Sequence, residues 1–124
     1  MTKTIEVSEE TFEKIKDQLA EDNVPAKEKD GMEYVIVRTY SAGVFAGYLQ
    51  KREGQEVVVR NARRLWYWKG AASLSQLAME GVSNPEECKF PCEVDKIILT
   101  QAIEILSCTE TSRKSIRKVK IWKE

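Results

Sequence analysis

The sequence predicts an α+β domain: an antiparallel β-sheet meander packed with an N-terminal helix and short C-terminal helices. Three observations predict it. Aromatic and β-branched runs recur between Glu33 and Lys69, separated by turn signals too short for anything but antiparallel neighbours. Stretches with apolar residues at helical spacing follow residues that can cap a helix at Ser8, Ser73 and Thr109. At 124 residues, 42% of them apolar, the chain can build one core but not two.

The first element is a helix opening at Ser8. Glu9 and Glu10 sit in its positive first turn, Val7 and Phe12 are placed as a hydrophobic staple, and Phe12, Ile15 and Leu19 share a face. It ends near Asp22, because Pro25 and the charged run 26–31 read as a loop. Residues 33–40 and 44–51 form two strands across Ser41-Ala42-Gly43, and the turn 52–55 leads into a third at 56–61. Residues 64–69 alternate as another short strand. Ser73 then caps a helix that stops at Gly81, and Asn84-Pro85-Glu86-Glu87 opens a loop or a single helical turn. The run from Val94 to Leu106 reads as one long strand. Thr109 caps a final helix, where Arg113 and Arg117, four apart, project from one face, and 118–122 finish as a short extended segment.

The chain has 20 Lys and Arg against 20 Asp and Glu, and no histidine. Missing histidine removes the commonest general base and every Ser-His or Cys-His nucleophile arrangement. Walker-type and dinucleotide glycine fingerprints are also absent, and no carboxylate pair sits in a recognisable motif, so a non-enzymatic protein without cofactor is expected. Three cysteines cannot complete a disulfide framework, and Cys88, Cys92 and Cys108 lack the second pair that would make zinc ligation the better reading. No apolar run approaches the ~20 residues of a membrane helix, and the start lacks a signal-peptide core, so a soluble cytoplasmic protein without membrane partners is expected.

The zero net charge conceals a pattern. Residues 1–33 carry −5, 34–69 carry +5, 70–110 carry −5 and 111–124 carry +5. These blocks are either solvated faces or two basic segments converging on one anionic ligand while the acidic ones repel other polyanions. The densest segment, residues 60–73, places Arg60, Arg63 and Arg64 beside Trp66, Tyr67 and Trp68, a composition suited to stacking on a base and bonding to phosphate. In extended geometry Trp66 and Trp68 face one way and Tyr67 the other, so core packing fits the tryptophans as well as ligand contact does. Gly70-Ala71-Ala72-Ser73 before a helix suits an anion, although most helix N-termini hold only water. The loop at Ser41, Ala42 and Gly43 is either a hairpin turn needing a positive φ or a place where ligand meets backbone. Arg113 and Arg117 are either solubilising or a phosphate fork.

Four strings, YVIVRTYSAGVFAGYL (34–49), NARRLWYWKGAASLSQLAMEG (61–81), NPEECKF (84–90) and IILTQAIEILSCTE (97–110), resemble a small phage-encoded family that includes the anti-defence sponge proteins acting against the Thoeris system. The resemblance covers roughly residues 32–124, the ligand-binding core of the single expected domain, and does not cover the N-terminal helix and loop read over 1–31. It implies a homodimer or higher homo-oligomer in the host bacterial cytoplasm that sequesters a cyclic ADP-ribose isomer without degrading it, with some members also taking cyclic di- or trinucleotides at a separate site. Carried over by residue, it places the ligand against Ser41, Ala42, Gly43, Trp66, Trp68, Ser73 and Phe90, with Arg60, Arg113 and Arg117 holding phosphates. The competing reading is a single-stranded nucleic-acid binding module, since arginines and aromatics on a sheet suit stacked bases; the zero net charge weakens it, and no DNA partner is expected.

Overall fold

In the computed structural model, which describes residues 24–124, the aromatic and β-branched runs become five strands. β1 (Glu33–Thr39) pairs antiparallel with β2 (Val44–Glu53), and β2 with β3 (Glu56–Arg64). Gly43 at φ +99° lets the first hairpin reverse, a backbone conformation that strains any residue with a Cβ. Thr39 closes that turn: its Oγ1 donates to the Gly43 carbonyl at 2.7 Å and accepts from the Ala42 amide at 2.9 Å.

β4 (Val94–Leu99) adds to β3 and β5 (Ala102–Ser107) adds to β1, so the order is β4-β3-β2-β1-β5, antiparallel throughout. This corrects the expectation of one strand over 94–106. Thr100 and Gln101 carry the chain from one edge of the sheet to the other. Three Cα steps reach at most about 11 Å, whereas the edges of a flat five-stranded sheet lie about 19 Å apart. The sheet must therefore curl until its edges approach at this end. The link is tied to both hairpin turns. The Tyr40 amide donates to the Gln101 carbonyl, and the Ala102 amide to the Gln55 carbonyl, each at 2.9 Å.

Curling encloses one face of the sheet, and the helices cover part of the other. Val35, Val37, Phe45, Val57, Val59 and Leu99 fill the concave side. Tyr34, Ile36, Ala46 and Tyr48, alternating with them along β1 and β2, pack under the helices. Gly47 sits where β2 and β3 shift register; a Cβ there would lie 2.6 Å from Val59 Cγ1 and 2.8 Å from the Arg60 carbonyl oxygen. Both side chains and backbone are packed too closely for any residue but glycine.

α1 (Leu74–Glu80) starts at Ser73, whose hydroxyl accepts from the Gln76 amide, and stops at Gly81 with φ +78°. A 3-10 turn follows at Pro85–Glu87. α2 (Glu110–Lys118) starts at Thr109, whose hydroxyl accepts from the Ser112 amide. The two helices are riveted together. Thr109 Oγ1 donates to the Met79 carbonyl at 2.7 Å and Ser112 Oγ to the Leu77 carbonyl at 2.6 Å, so hydroxyls at the start of α2 satisfy carbonyls that end α1.

The short strand expected over 64–69 does not form: Arg64 ends β3 and residues 65–69 leave the sheet. The Leu65 amide donates to the Val44 carbonyl, but Val44 begins β2, so beyond Leu65 there is no neighbour left to pair with. The chain leaves the sheet, and Tyr67 pairs instead with Lys89. The expected helix between Ser8 and Asp22 lies outside the described residues. Among the described residues no helix is long and apolar enough to cross a membrane.

Candidate functional site

The stretch that leaves the sheet brings Trp66 and Trp68 beside the β1–β2 turn. Together with Ser41, Ala42 and Gly43 they line a cavity of about 260 Å³. Tyr67 faces the other way, its ring centroid 5.9 Å from Lys89 Nζ. The alternation expected from the sequence thus separates the three aromatics. Trp66 is 64% exposed, and Tyr40, beside the turn, 77%. The Ser41 hydroxyl donates to Gln101 Oε1 at 2.9 Å, which leaves its lone pairs for a ligand donor. The Ser41 and Gly43 amides donate to nothing among the described residues.

The fourth wall is Arg64, one of the three arginines of the basic and aromatic segment, though not one to which the resemblance assigns the ligand. Its guanidinium carbon stands 4.7 Å from the Phe45 ring centroid, and among the described residues it meets no carboxylate and makes no side-chain hydrogen bond. It also lines a second cavity of about 260 Å³, walled by Phe45, Pro91, Cys92 and Ile97. One solvent-facing cation therefore stands between two hollows. A phosphate at that point would meet five N–H donors in a fork, with flat surfaces on either side.

The other expected ligand residues lie elsewhere. Arg60 spends its Nε on the Asp95 carbonyl at 3.0 Å and its Nη1 on Gln50 Oε1 at 3.4 Å. Ser73 has its hydroxyl engaged as the cap of α1. Phe90 is a correction: at 0% exposure it is a core side chain, with the Arg63 guanidinium 5.4 Å from its ring centroid. It has no surface on which a ligand could rest.

Arg113 and Arg117 do share a helix face, and the Nη1 of each reaches Tyr48 Oη at 3.3 Å. Both are tied to carboxylates. Glu110 grips Arg113 at two points, Nε at 2.9 Å and Nη2 at 2.6 Å, while accepting the Lys27 amide at 2.8 Å. These bonds, Arg113's above all, hold the Glu110 carboxyl down to about 2, and Glu110 in turn pushes the Arg113 guanidinium up. Arg117 Nη2 lies 3.7 Å from Glu93 Oε2. The pair braces α2 against β2 and does not line the tryptophan cavity.

Burial pushes the Cys88 thiol up and the Cys108 thiol to about 12, so neither is a ready nucleophile; Cys92 is exposed. Among the described residues no three His, Cys, Asp or Glu side chains come together as metal ligands.

A family model described as a domain of unknown function, DUF6948, matches residues 32–116, more than half of the chain. The chain belongs to this family. No curated protein and no solved structure matches it. The DUF6948 span holds all five strands, the Ser41–Gly43 turn and the Trp66–Trp68 segment, whereas Arg117 and the extended tail after it lie beyond the match.

Proposed function

We propose that this protein is a nucleotide sponge: it binds and sequesters a cyclic ADP-ribose isomer without degrading it, in the cytoplasm of a phage-infected bacterium, and so blocks Thoeris-type TIR signalling. The observation that carries the reading is the meeting, in one cavity, of Ser41, Ala42, Gly43, Trp66 and Trp68 with the solvent-facing Arg64. The first five are residues on which the resemblance places the ligand, and Arg64 adds the phosphate anchor. In this role Trp66 and Trp68 stack on the base, the Ser41 and Gly43 amides donate to ribose or phosphate oxygens, and Arg64 grips the pyrophosphate.

Size decides the next point. A cavity of about 260 Å³ is below the ~300–1,000 Å³ of ordinary ligand sites, and a sponge with nanomolar affinity needs about −12 kcal/mol. One protomer encloses too little of a molecule with two ribose rings and a pyrophosphate. The ligand extends across Arg64 toward the second hollow, and another copy of the chain closes over the exposed Tyr40 and Trp66, making a homodimer or higher homo-oligomer. Cyclic di- or trinucleotides are further ligands by the same resemblance. The single-stranded nucleic-acid reading has less support, since the strand aromatics Tyr34, Phe45 and Tyr48 are all buried and the exposed apolar side chains of β4 and β5, Val94, Ile98 and Ile103, offer no flat ring for stacked bases.

Native mass spectrometry with a panel of cyclic ADP-ribose isomers and cyclic oligonucleotides tests the reading by reporting assembly and ligand mass together. One member of the panel should bind to an oligomer and be recovered intact after heating. Cleaved product would make the protein an enzyme, and no binding by any member would end the sponge reading.

A further inference from the structure

The tail beyond the family match builds a cleft of its own. Ile121 pairs in parallel with Phe90, and the Trp122 amide donates to the Phe90 carbonyl at 2.9 Å. Lys89, next to Phe90, exchanges backbone hydrogen bonds with Tyr67 at 2.7 and 3.3 Å. Three short extended segments thus form a ladder outside the main sheet. The cleft beside it, between the 3-10 turn and the tail, has a volume of about 630 Å³.

Its chemistry is cationic and aromatic. Lys118, Lys120 and Lys123 line it together with Trp122, and among the described residues Glu86 is the one acidic side chain in its lining. Lys89 Nζ lies 5.7 Å from the Trp122 ring and 5.9 Å from the Tyr67 ring, so both half-exposed aromatics hold this fourth cation at the rim. Among the described residues none of these four lysines has a carboxylate within ion-pair distance. Flexible ammonium groups suit phosphate as point charges, and a half-exposed tryptophan offers a stacking face for a base. The volume falls within the ~300–1,000 Å³ of small-ligand sites.

We propose that this C-terminal cleft is a second ligand site, separate from the Trp66–Trp68 cavity, and that it binds a nucleoside phosphate with the base on Trp122 and the phosphate among Lys118, Lys120 and Lys123. The phosphate comes either from a free nucleotide or from a single-stranded oligonucleotide. The backbone ladder fixes Trp122 before binding, so the lysines are what the ligand orders. The site needs none of the residues of the sponge reading and stands or falls apart from it.

The test is an NMR titration of the full chain with AMP, following the three tryptophan indole N–H signals, with the Trp122 signal assigned from Trp122→Phe. AMP should shift the Trp122 signal, adenosine should bind at least about tenfold more weakly, and the triple variant K118Q/K120Q/K123Q should lose about tenfold or more in AMP affinity, the cost of even one charge-assisted bond. The substituted lysines are exposed, and unchanged Trp66 and Trp68 signals report that the variant is folded. An eight-nucleotide single strand that binds tighter than AMP, with an affinity falling steeply with salt, supports the site with a strand as its source; equal or weaker binding supports it with a free nucleotide. The proposal is overturned if AMP shifts only the Trp66 and Trp68 signals, if adenosine binds as well as AMP, or if the triple variant binds AMP unchanged.

Discussion

Replacing Arg63 by methionine should be among the most damaging single changes in the described core. The side chain leaves β3 toward the helices and is 3% exposed. Its Nε donates to the Pro91 carbonyl at 2.9 Å, Nη1 to the Ile116 carbonyl at 2.8 Å and Nη2 to the Phe90 carbonyl at 3.1 Å. One guanidinium therefore joins the sheet, the strap at residues 90–91 and the last turn of α2. No carboxylate lies within ion-pair distance of it among the described residues, and burial pulls its pKa down. A hydrogen bond from a charged donor contributes about 1.5–3 kcal/mol net. Methionine leaves the Pro91, Ile116 and Phe90 carbonyls without the guanidinium, and it also removes a buried cation that no carboxylate balances among the described residues, so the loss is smaller than the sum of three such bonds. Methionine returns most of the packing, so we expect a loss of about 3 kcal/mol, or roughly 9–15 °C in Tm for a domain of this size. Arg63→Lys should lose about 2 kcal/mol, because one ammonium cannot reach three carbonyls that surround a planar fork. Urea denaturation followed by tryptophan fluorescence gives both values. A methionine variant within 1 kcal/mol of the parent would refute the view that this arginine clamps three segments.

The same structure sets three further outcomes. The Glu110 carboxyl is held at about 2 against an ordinary 4.5, so its contribution is fully present above pH 4.5 and disappears as pH falls toward 2. That contribution is at most about 3 kcal/mol, and Glu110→Gln should flatten the acid limb of a stability-against-pH curve; an unchanged limb would show that the Arg113 bond adds nothing. Gly47→Ala should cost about 1–3 kcal/mol through overpacking against Val59 and the Arg60 carbonyl, measured by chemical denaturation, and a neutral result would mean that β3 can retreat. Arg64→Ala should leave stability within about 0.5 kcal/mol while weakening the binding of the proposed cyclic nucleotide ligand at least about tenfold in calorimetry; undiminished binding would remove Arg64 from the site.

What could be read in advance was local. Gly43 announces a hairpin because only a positive φ closes that turn, and Ser73, Gly81 and Thr109 bound two helices because caps act within one turn of their own backbone. The break at Thr100-Gln101 was invisible because it contains no glycine or proline, and the apolar run resumes two residues later on a different edge of the sheet. Arg60, Arg63 and Arg64 look interchangeable in sequence. Where β3 ends decides that one lies over β4, one is buried under the helices and one opens onto the cavities. Likewise the spacing of Arg113 and Arg117 gives their common face, while Glu110 and Glu93, which occupy them, are set by tertiary packing. The meeting of residues 41–43 with Trp66 and Trp68 needed only the register of the β2–β3 hairpin, and it is the part of the site most directly encoded by local pairing.

The two-residue passage at Thr100 and Gln101 works like a drawstring. It keeps the sheet rolled, and through the Gln101 carbonyl and side chain it also holds Tyr40 and Ser41 at the lip of the tryptophan cavity. Lengthening this cord by even a few residues would slacken the roll and the lip at once, although neither residue touches the cavity itself. The mouth of the candidate site is thus cut to a size set on the far side of the turn, by the shortest stretch of chain that can join one border of the sheet to the other.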